Sequence, residues 1–200
     1  MKPTSRFKIP SHYLSAKRGI DIVVATFAIL FFMPLLAVVT IASKLSSSGP
    51  VLFWSERVGL EGRIFKMPKF RSMSTCSKII SRENATTEDI KITPFGRFIR
   101  RTSIDELPQL WCVLKGDMSL IGPRPLLLDD QTTLLRQAYS KIYDVKPGIT
   151  GLAQVNGRNF ITRRNKTRYD FFYATRVCFI LDLKIALSTI WVVLRQKNIT

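Results

Sequence analysis

Near the start of the chain, hydrophobic residues run without a charge from residue 22 to residue 42, a stretch of 21 positions. A membrane-crossing helix needs about 20 consecutive apolar residues, so this stretch predicts a membrane helix. Pro34 lies near its middle, where the missing N–H and the ring of a proline kink a helix. Three structures are open for it: a secretory signal peptide, a helix that crosses the bilayer, and a re-entrant helix that enters and returns on one side.

The residues beside this stretch favour the re-entrant helix. A signal peptide is disfavoured because the run is long and no small-residue cleavage site follows it before Lys44. Basic residues occur on both flanks, and basic flanks of membrane helices stay on the cytoplasmic side. A crossing helix would leave one basic flank on the wrong side. At the membrane edge, we expect Asp21 to pair with Lys17 and Arg18 among the lipid headgroups, or else to be a solvated interfacial charge.

Shorter patterns follow the membrane segment. Residues 46–50 contain three serines, a glycine and a proline, and therefore predict a turn. The polar residues 74–93 predict a mobile loop. The predicted strands are residues 51–54 and 63–66, around a turn at residues 59–62; the predicted helices are residues 95–101, 106–114 and 126–143; and turns are expected at residues 146–148 and at Gly151.

The C-terminal third interleaves aromatic and basic residues, with four aromatic side chains between residues 169 and 173, and the apolar residues 177–194 follow. This composition suits the lipid headgroup region, while a core helix of a soluble domain is the alternative. Arginines among aromatics also bind single-stranded nucleic acid. No nucleic-acid motif accompanies them here, so we expect no nucleic acid partner.

Together these elements predict an α/β fold that is mostly α-helical. Its parts are an N-terminal re-entrant membrane helix and a small cytoplasmic domain with amphipathic interfacial helices and a short sheet. The predicted boundary separates residues 1–45, the N-terminal segment and membrane helix, from residues 46–200, the cytoplasmic and interfacial domain.

Composition narrows the class of protein. The chain has 31 Lys and Arg against 14 Asp and Glu, a net charge of +17, which indicates an anionic partner such as nucleic acid, a membrane surface or a phosphorylated substrate. A hydrophobic content of 46% excludes a disordered chain. Three widely spaced cysteines and a single histidine argue against a disulfide framework or a zinc site, and are consistent with a reducing compartment.

The densest group of chemically informative residues lies between residues 97 and 109. There Asp105 and Glu106 follow a group of arginines at the predicted start of a helix, a place that favours anions. Ser103 with Glu106 fits a capping box, whereas Asp105 as the N-cap residue agrees better with Pro108 in the first turn. A well-capped helix with solvated arginines is the structural alternative to a functional site.

Two later segments weaken that alternative. In Pro123-Arg124-Pro125 the prolines fix the backbone, and a guanidinium held in this way is a good planar partner for phosphate. Residues 146–159 contain several glycines and Arg158. Each glycine alone fits a simple turn, but together they indicate a loop shaped around an anion.

These motifs resemble those of bacterial sugar transferases, the small monotopic phosphoglycosyltransferases that move a phospho-sugar from a UDP-sugar onto a polyprenyl phosphate. The matching motifs stand in a fixed order over nearly the whole chain, which makes the resemblance specific. They are residues 17–21, 65–66, 69–73, 103–109, 114–127, 146–159 and 182–184.

The resemblance implies a role for each candidate residue. Asp105 would be the nucleophile that attacks the sugar-linked phosphate and expels UMP. Glu106 would help to hold Mg²⁺ and orient the site, and both carboxylates would be metal ligands. Arg100 and its neighbouring cations would hold phosphate. The remaining candidate substrate contacts are Pro123, Arg124 and Pro125, which would help to recognise the nucleotide donor, together with Lys66 and Arg158.

The resemblance also implies a place of action, the cytoplasmic face of the bacterial inner membrane, where the enzyme would start a glycan on undecaprenyl phosphate among membrane lipids. It leaves a homo-oligomer open. Two residues depart from the family pattern: Met33 replaces the serine before Pro34, and Pro68 replaces an aromatic residue before Lys69. A non-enzymatic basic membrane-surface protein that binds anionic lipid or nucleic acid is the alternative, because charge alone fits both.

Overall fold

The structure, a computed structural model, describes residues 11–46, 49–73, 93–157 and 161–195. Helix α1 (Ser11–Ser46) contains the whole apolar stretch, with Pro34 inside it. By length and composition α1 can cross a membrane, and most of its apolar part is not covered by other parts of the protein. The long apolar helix is therefore confirmed, whereas its re-entry stays a prediction.

An antiparallel β-hairpin comes next. Strands β1 (Leu52–Val58) and β2 (Ile64–Phe70) pair with Glu56 opposite Lys66, and a 3₁₀ turn over Leu60–Gly62 joins them. Both predicted strands and their turn are confirmed, although each strand is longer than its pattern indicated. The predicted mobile loop falls almost entirely on residues 74–92, which lie outside the described residues.

Helices α2 (Pro94–Arg101) and α3 (Leu110–Lys115) confirm two predicted helices. Gly116 ends α3 in the left-handed region, with φ of 99°, as its position in the sequence predicts. The predicted helix over residues 126–143 is wrong in extent. It consists of α4 (Gln131–Gln137) and a 3₁₀ helix over Ser140–Asp144, because the Asp130 carboxylate caps Thr132 N at 2.7 Å and starts the helix there.

A second, parallel pair of strands joins β3 (Ser119–Ile121) to β4 (Gly148–Thr150). The turn expected at residues 146–148 is therefore wrong, because Gly148 begins a strand. The glycines here pack backbone against backbone: a Cβ atom on Gly148 would lie 2.1 Å from Gly122 N, and one on Gly151 would lie 2.1 Å from Gly122 O. Close approach of the backbone therefore requires glycine at residues 148 and 151, and the anion-binding loop stays a prediction.

The chain continues through α5 (Leu152–Val155), α6 (Arg163–Thr175) and α7 (Phe179–Leu194). One face of α7 packs inward through Ile185, which is buried, and the other exposes apolar residues at helical spacing. The exposed set is Phe179, Ile180, Leu183, Leu187, Ile190, Trp191 and Val193.

Helix α1 forms one wall of each of three apolar clusters. Tyr13, in its first turn, packs on the cluster of α6 and α7; Ala25 is buried in the central cluster; and Val39, near its end, is buried in the third. The other buried members are Val145, Tyr173, Ala174, Val177 and Ile185 in the first, Met67, Leu110, Cys112, Val113 and Met118 in the second, and Phe70 and Ile99 in the third. The beginning, middle and end of α1 thus contact one protein body.

Polar contacts also attach α1 to this body. The buried carboxylate of Asp182 on α7 accepts hydrogen bonds from Tyr13 Oη at 2.6 Å, from Tyr173 Oη at 2.8 Å and from Lys17 Nζ, with which it forms an ion pair. Burial beside Asp182 raises the pKa of Tyr173, which stays a donor at neutral pH. Asp182 is therefore satisfied by two phenols and one ammonium group.

Asp21 does not lie where the sequence analysis predicted it. Its carboxylate is only 4% exposed and accepts a hydrogen bond from Leu120 N at 3.0 Å. Arg18 instead donates to the carbonyl oxygens of Val113 and Leu114 at the end of α3, where a cation complements the helix dipole. The expected headgroup ion pair is wrong because both side chains dock on the protein.

Candidate active site

The two adjacent carboxylates lie on a 3₁₀ helix over Ile104–Gln109, between α2 and α3. Ser103 precedes it in the left-handed region, with φ of 58° and no side-chain cap. Neither predicted cap is therefore correct, because Ser103 makes no capping bond and Asp105 lies inside the helix. A non-glycine residue costs free energy in this region, and such strain is typical of functional sites.

Glu106 is held by two cations from different parts of the chain. Its Oε1 atom accepts a hydrogen bond from Lys69 Nζ on β2 at 2.8 Å and one from Arg124 Nη2 at 2.9 Å. The Glu106 side chain is only 12% exposed, so both bonds are charge-assisted and poorly screened. Glu106 raises the pKa of Arg124, whereas burial lowers the pKa of Lys69 against the attraction of Glu106.

Asp105 is the more deeply buried carboxylate, at 7% exposure. Burial raises its pKa, and Lys69, Arg100 and Arg124 oppose that shift by stabilising the charged form. In its ionised form, a carboxylate among cations can attack a phosphorus atom, because the cations offset the repulsion between the carboxylate and the phosphate.

Arg57 on β1 adds a cation that the sequence analysis missed. It interacts electrostatically with Arg124 and Glu106, and burial, with a smaller contribution from Arg124, lowers its pKa to about 10. It is therefore still charged at neutral pH. Its Nε atom donates to Ser55 Oγ at 3.1 Å, and the ion pairs among the described residues do not include it. Two guanidinium groups close together favour an anion between them.

The Arg124 loop is fixed from behind. Arg136 on α4 donates from Nη1 to the backbone carbonyl oxygen of Arg124 at 3.0 Å and forms an ion pair through Nη2 with Asp170 on α6. Gly148 N donates to Pro123 O at 2.9 Å, and Val58 N donates to Leu126 O at 3.1 Å. The segment on either side of Arg124 is therefore bonded to three separate elements.

The other predicted site residues take different positions. Arg100 is exposed but near enough to lower the pKa of Asp105, while Pro123 and Pro125 are buried and flank Arg124. Lys66 lies on the face of the hairpin opposite to Lys69 and Arg57. It lines an open cavity of about 750 Å³ with Trp54, Glu56 and residues 127–129. Arg158 lies outside the described residues.

A metal site predicted from the sequence can be tested against these donors. Within the described ranges, no cluster of three or more His, Cys, Asp or Glu side chains is placed to hold a metal. Mg²⁺ in phosphoryl-transfer sites commonly uses one or two carboxylates and takes its other ligands from substrate phosphates and water. Asp105 and Glu106 fit that pattern in number and type, although Oε1 of Glu106 already bonds to two cations.

Lys69 and Arg57 were not predicted as site residues because the predicted strands were too short. Lys69 stands in the Lys-Phe-Arg motif, but the predicted strand stopped at residue 66, so its partner was not apparent. Once β2 is known to extend to Phe70, alternation along the pair puts Lys69 and Arg57 on one face and Lys66 on the other. Predicted strands that extended through residues 57 and 69 would have placed Arg57 and Lys69 on one face.

Comparison with known proteins identifies the family of this chain. A family model described as bacterial sugar transferase matches residues 12–196. The uncharacterized sugar transferase EpsL of Bacillus subtilis (strain 168) is 41% identical over 183 residues, which cover 92% of this chain and 89% of the relative.

Two relatives with named activities are similarly close in sequence. A UDP-glucose:undecaprenyl-phosphate glucose-1-phosphate transferase of Klebsiella pneumoniae is 41% identical over 88% of this chain and 39% of its own length. A UDP-N-acetylgalactosamine-undecaprenyl-phosphate N-acetylgalactosaminephosphotransferase of Aeromonas hydrophila is 41% identical over 91% of this chain and 44% of its own length. The chain thus spans less than half of the length of these two relatives.

Proposed function

Because this chain belongs to the bacterial sugar transferase family, we propose that it transfers a sugar 1-phosphate from a UDP-sugar to a polyprenyl phosphate, undecaprenyl phosphate in particular. The observation that carries the proposal is the buried Asp105 beside Glu106, whose carboxylate is held by Lys69 and Arg124. The named activities of the relatives give the substrate classes.

In the first step, a carboxylate oxygen of Asp105 attacks the phosphorus atom that carries the sugar. A bond forms between that oxygen and phosphorus, and the bond from phosphorus to the bridging oxygen of the diphosphate breaks. UMP leaves with the electron pair, and the sugar phosphate remains on Asp105 as an acyl phosphate. No proton has to be removed from the nucleophile, which agrees with a site that has no histidine among its described residues.

In the second step, a phosphate oxygen of the polyprenyl phosphate attacks the same phosphorus atom. The new bond gives a polyprenyl diphosphate sugar, and the Asp105 carboxylate leaves in its original form. Two anionic substrates and an anionic nucleophile repel one another, so both steps require nearby positive charge. Lys69, Arg124 and Arg57 supply it from buried or half-buried positions, where each cation acts more strongly than in water.

We assign the Mg²⁺ ligands to Asp105 and Glu106 within this proposal. When bound, the ion neutralises diphosphate charge and acts as a Lewis acid on phosphate oxygens. Lys69 and Arg124 orient the Glu106 carboxylate by bonding one of its oxygens.

We further propose that α1 is re-entrant and that the site faces the cytoplasm at the inner membrane surface. Support comes from the contacts of Tyr13, Ala25 and Val39 with one protein body. A helix of 36 residues is about 54 Å long when straight, and its two ends would lie on opposite sides of a bilayer. The exposed apolar face of α7 would lie in the same membrane surface.

The reaction is tested by UMP release from a panel of UDP-sugars, with undecaprenyl phosphate and Mg²⁺, on the full chain in detergent micelles. We expect at least one donor to be turned over and Asp105→Asn to abolish turnover. The matched control is Asp117→Asn, which should keep full activity; the half-buried carboxylate of Asp117 pairs with the exposed Lys115. Intact mass spectrometry without acceptor should find one sugar phosphate on wild type and none on Asp105→Asn; UMP release that persists in this variant removes Asp105 from its role.

The membrane arrangement is tested by cysteine labelling in intact cells. Single cysteines at His12 and Ser46, both exposed at the ends of α1, are introduced into a chain with Cys76→Ser, Cys112→Ala and Cys178→Ser. A reagent that cannot cross the inner membrane should label neither site until the membrane is opened. Labelling of one site in intact cells and of the other only after opening would show a crossing helix.

A further inference from the structure

The ion pair between Arg136 and Asp170 lies behind the site, where Arg136 bonds to the backbone of Arg124. Arg136 is 4% exposed and Asp170 is 1% exposed. One guanidinium nitrogen bonds to Asp170, and the other donates to the carbonyl oxygen of Arg124 at 3.0 Å. On its other side, Arg124 donates to Glu106 at 2.9 Å. A continuous path of contacts therefore runs from α6 through α4 to the catalytic carboxylates.

This ion pair is expected to contribute little to the free energy of folding. Arg136 Nε and Asp170 Oδ1 are both buried and have no hydrogen-bond partner among the described residues, so the pair is not bidentate. Burial raises the pKa of Asp170 even though Arg136 opposes that shift. Replacing such a pair with apolar side chains is commonly neutral or stabilising. A buried charge of this kind calls for an explanation other than folding.

The geometry points to a positioning role, and this inference rests on the proposed function. We propose that Arg136, held in place by Asp170, fixes the backbone at Arg124 so that the Arg124 guanidinium faces Glu106 and the donor phosphate. The prolines on either side restrict rotation of the chain next to Arg124. The orientation of the peptide plane after Arg124 is then set by hydrogen bonds, and Arg136 donates one to the carbonyl oxygen of Arg124.

The deciding variant is the double substitution Arg136→Met with Asp170→Met, which leaves no unpaired charge in the core and is expected to fold. We expect its thermal midpoint to stay near that of wild type while kcat for UMP release falls about tenfold to a hundredfold, since misplacement of a catalytic group by about 1 Å has an effect of this size. Arg136→Lys keeps a buried donor and should recover part of the loss. The control, Thr167→Val, changes a buried side chain one turn before Asp170 on α6 and should leave kcat unchanged.

A double-mutant cycle separates positioning from general loosening of the fold. Arg124→Lys is combined with the double methionine variant, and kcat is compared across the four proteins. If Arg136 acts through Arg124, the triple variant should be no slower than Arg124→Lys alone. Additive losses, or a double methionine variant as fast as wild type, would overturn the proposal.

The affinity of the same four proteins for UDP is also measured by calorimetry, which requires no turnover. Binding should weaken in the double methionine variant and weaken no further in the triple variant. If wild type releases no UMP from any donor, the proposed function fails, whereas the UDP cycle still decides whether Arg136 acts through Arg124. Equal UDP affinity in wild type and the double methionine variant would count against positioning.

Discussion

Removal of the ammonium group from Lys17 should destabilise the whole protein. In Lys17→Met, the Asp182 carboxylate loses its one ion-pair partner in the described part of the chain, while Tyr13 and Tyr173 still donate to it. The Lys17 and Asp182 side chains are only 13% and 10% exposed, so they behave as a nearly buried pair. Loss of one partner of such a pair costs about 3–5 kcal/mol.

The two phenols place the expected cost at the lower end, about 3 kcal/mol, because hydrogen bonds to a charged group offset part of its desolvation. In a chain of this length each 1 kcal/mol shifts the thermal midpoint by about 2–4 °C. We therefore expect the midpoint of Lys17→Met to fall by about 6–12 °C, measured by scanning calorimetry in lipid nanodiscs. Adding Asp182→Asn removes the unpaired charge and should restore part of the loss.

Lys184→Met is the matched control, because Lys184 is an exposed lysine two residues after Asp182 on the same helix. Its midpoint should stay within about 2 °C of wild type. If Lys17→Met is no less stable than Lys184→Met, the pairing of α1 with α7 contributes little and the reasoning from burial is wrong.

Three further outcomes follow from the site and its surroundings. Lys69→Met should lower kcat/KM for UMP release about a hundredfold or more, because one of the two cations on Glu106 is lost; an unchanged value in steady-state kinetics would exclude Lys69 from the site. Asp105→Asn should raise the thermal midpoint at pH 7 in metal-free buffer, because burial raises the pKa of Asp105 and so disfavours its charged form; a lower midpoint in calorimetry would contradict this. In a Cys76→Ser chain, iodoacetamide at pH 8 should modify exposed Cys178 and spare buried Cys112, whose pKa burial raises to about 11; peptide mass spectrometry that finds both modified at similar rates would show that Cys112 is accessible.

The apolar pattern was a reliable guide to the long helix and the hairpin, because both depend on local periodicity. It failed where tertiary contacts decide. Gly148 looks like a turn residue, yet it begins β4 because its N–H reaches Pro123 O across the chain. Asp21 looks like a membrane-edge charge, yet Leu120 N, 99 residues further on, binds it. The neighbouring residues in the sequence give no indication of such a distant hydrogen-bond partner.

The candidate site shows the same division. Asp105, Glu106 and Arg124 could be identified in advance because adjacent carboxylates and an arginine between prolines are unusual local patterns. The sequence did not indicate that Lys69 and Arg124 meet on one oxygen of Glu106, because that contact depends on the length of β2. Nor did it indicate Arg136, which looks like a surface arginine of an amphipathic helix and is 4% exposed.

The place of α1 in all three apolar clusters has a consequence for any attempt to make a water-soluble form of this enzyme. Deletion of the helix would uncover Met67, Phe70 and Tyr173 together, one from each core, and would leave the Asp182 carboxylate without Lys17. Helix α1 is therefore also a scaffold for the rest of the chain. Deletion of α1 is therefore expected to unfold the remaining chain rather than to give an active soluble enzyme.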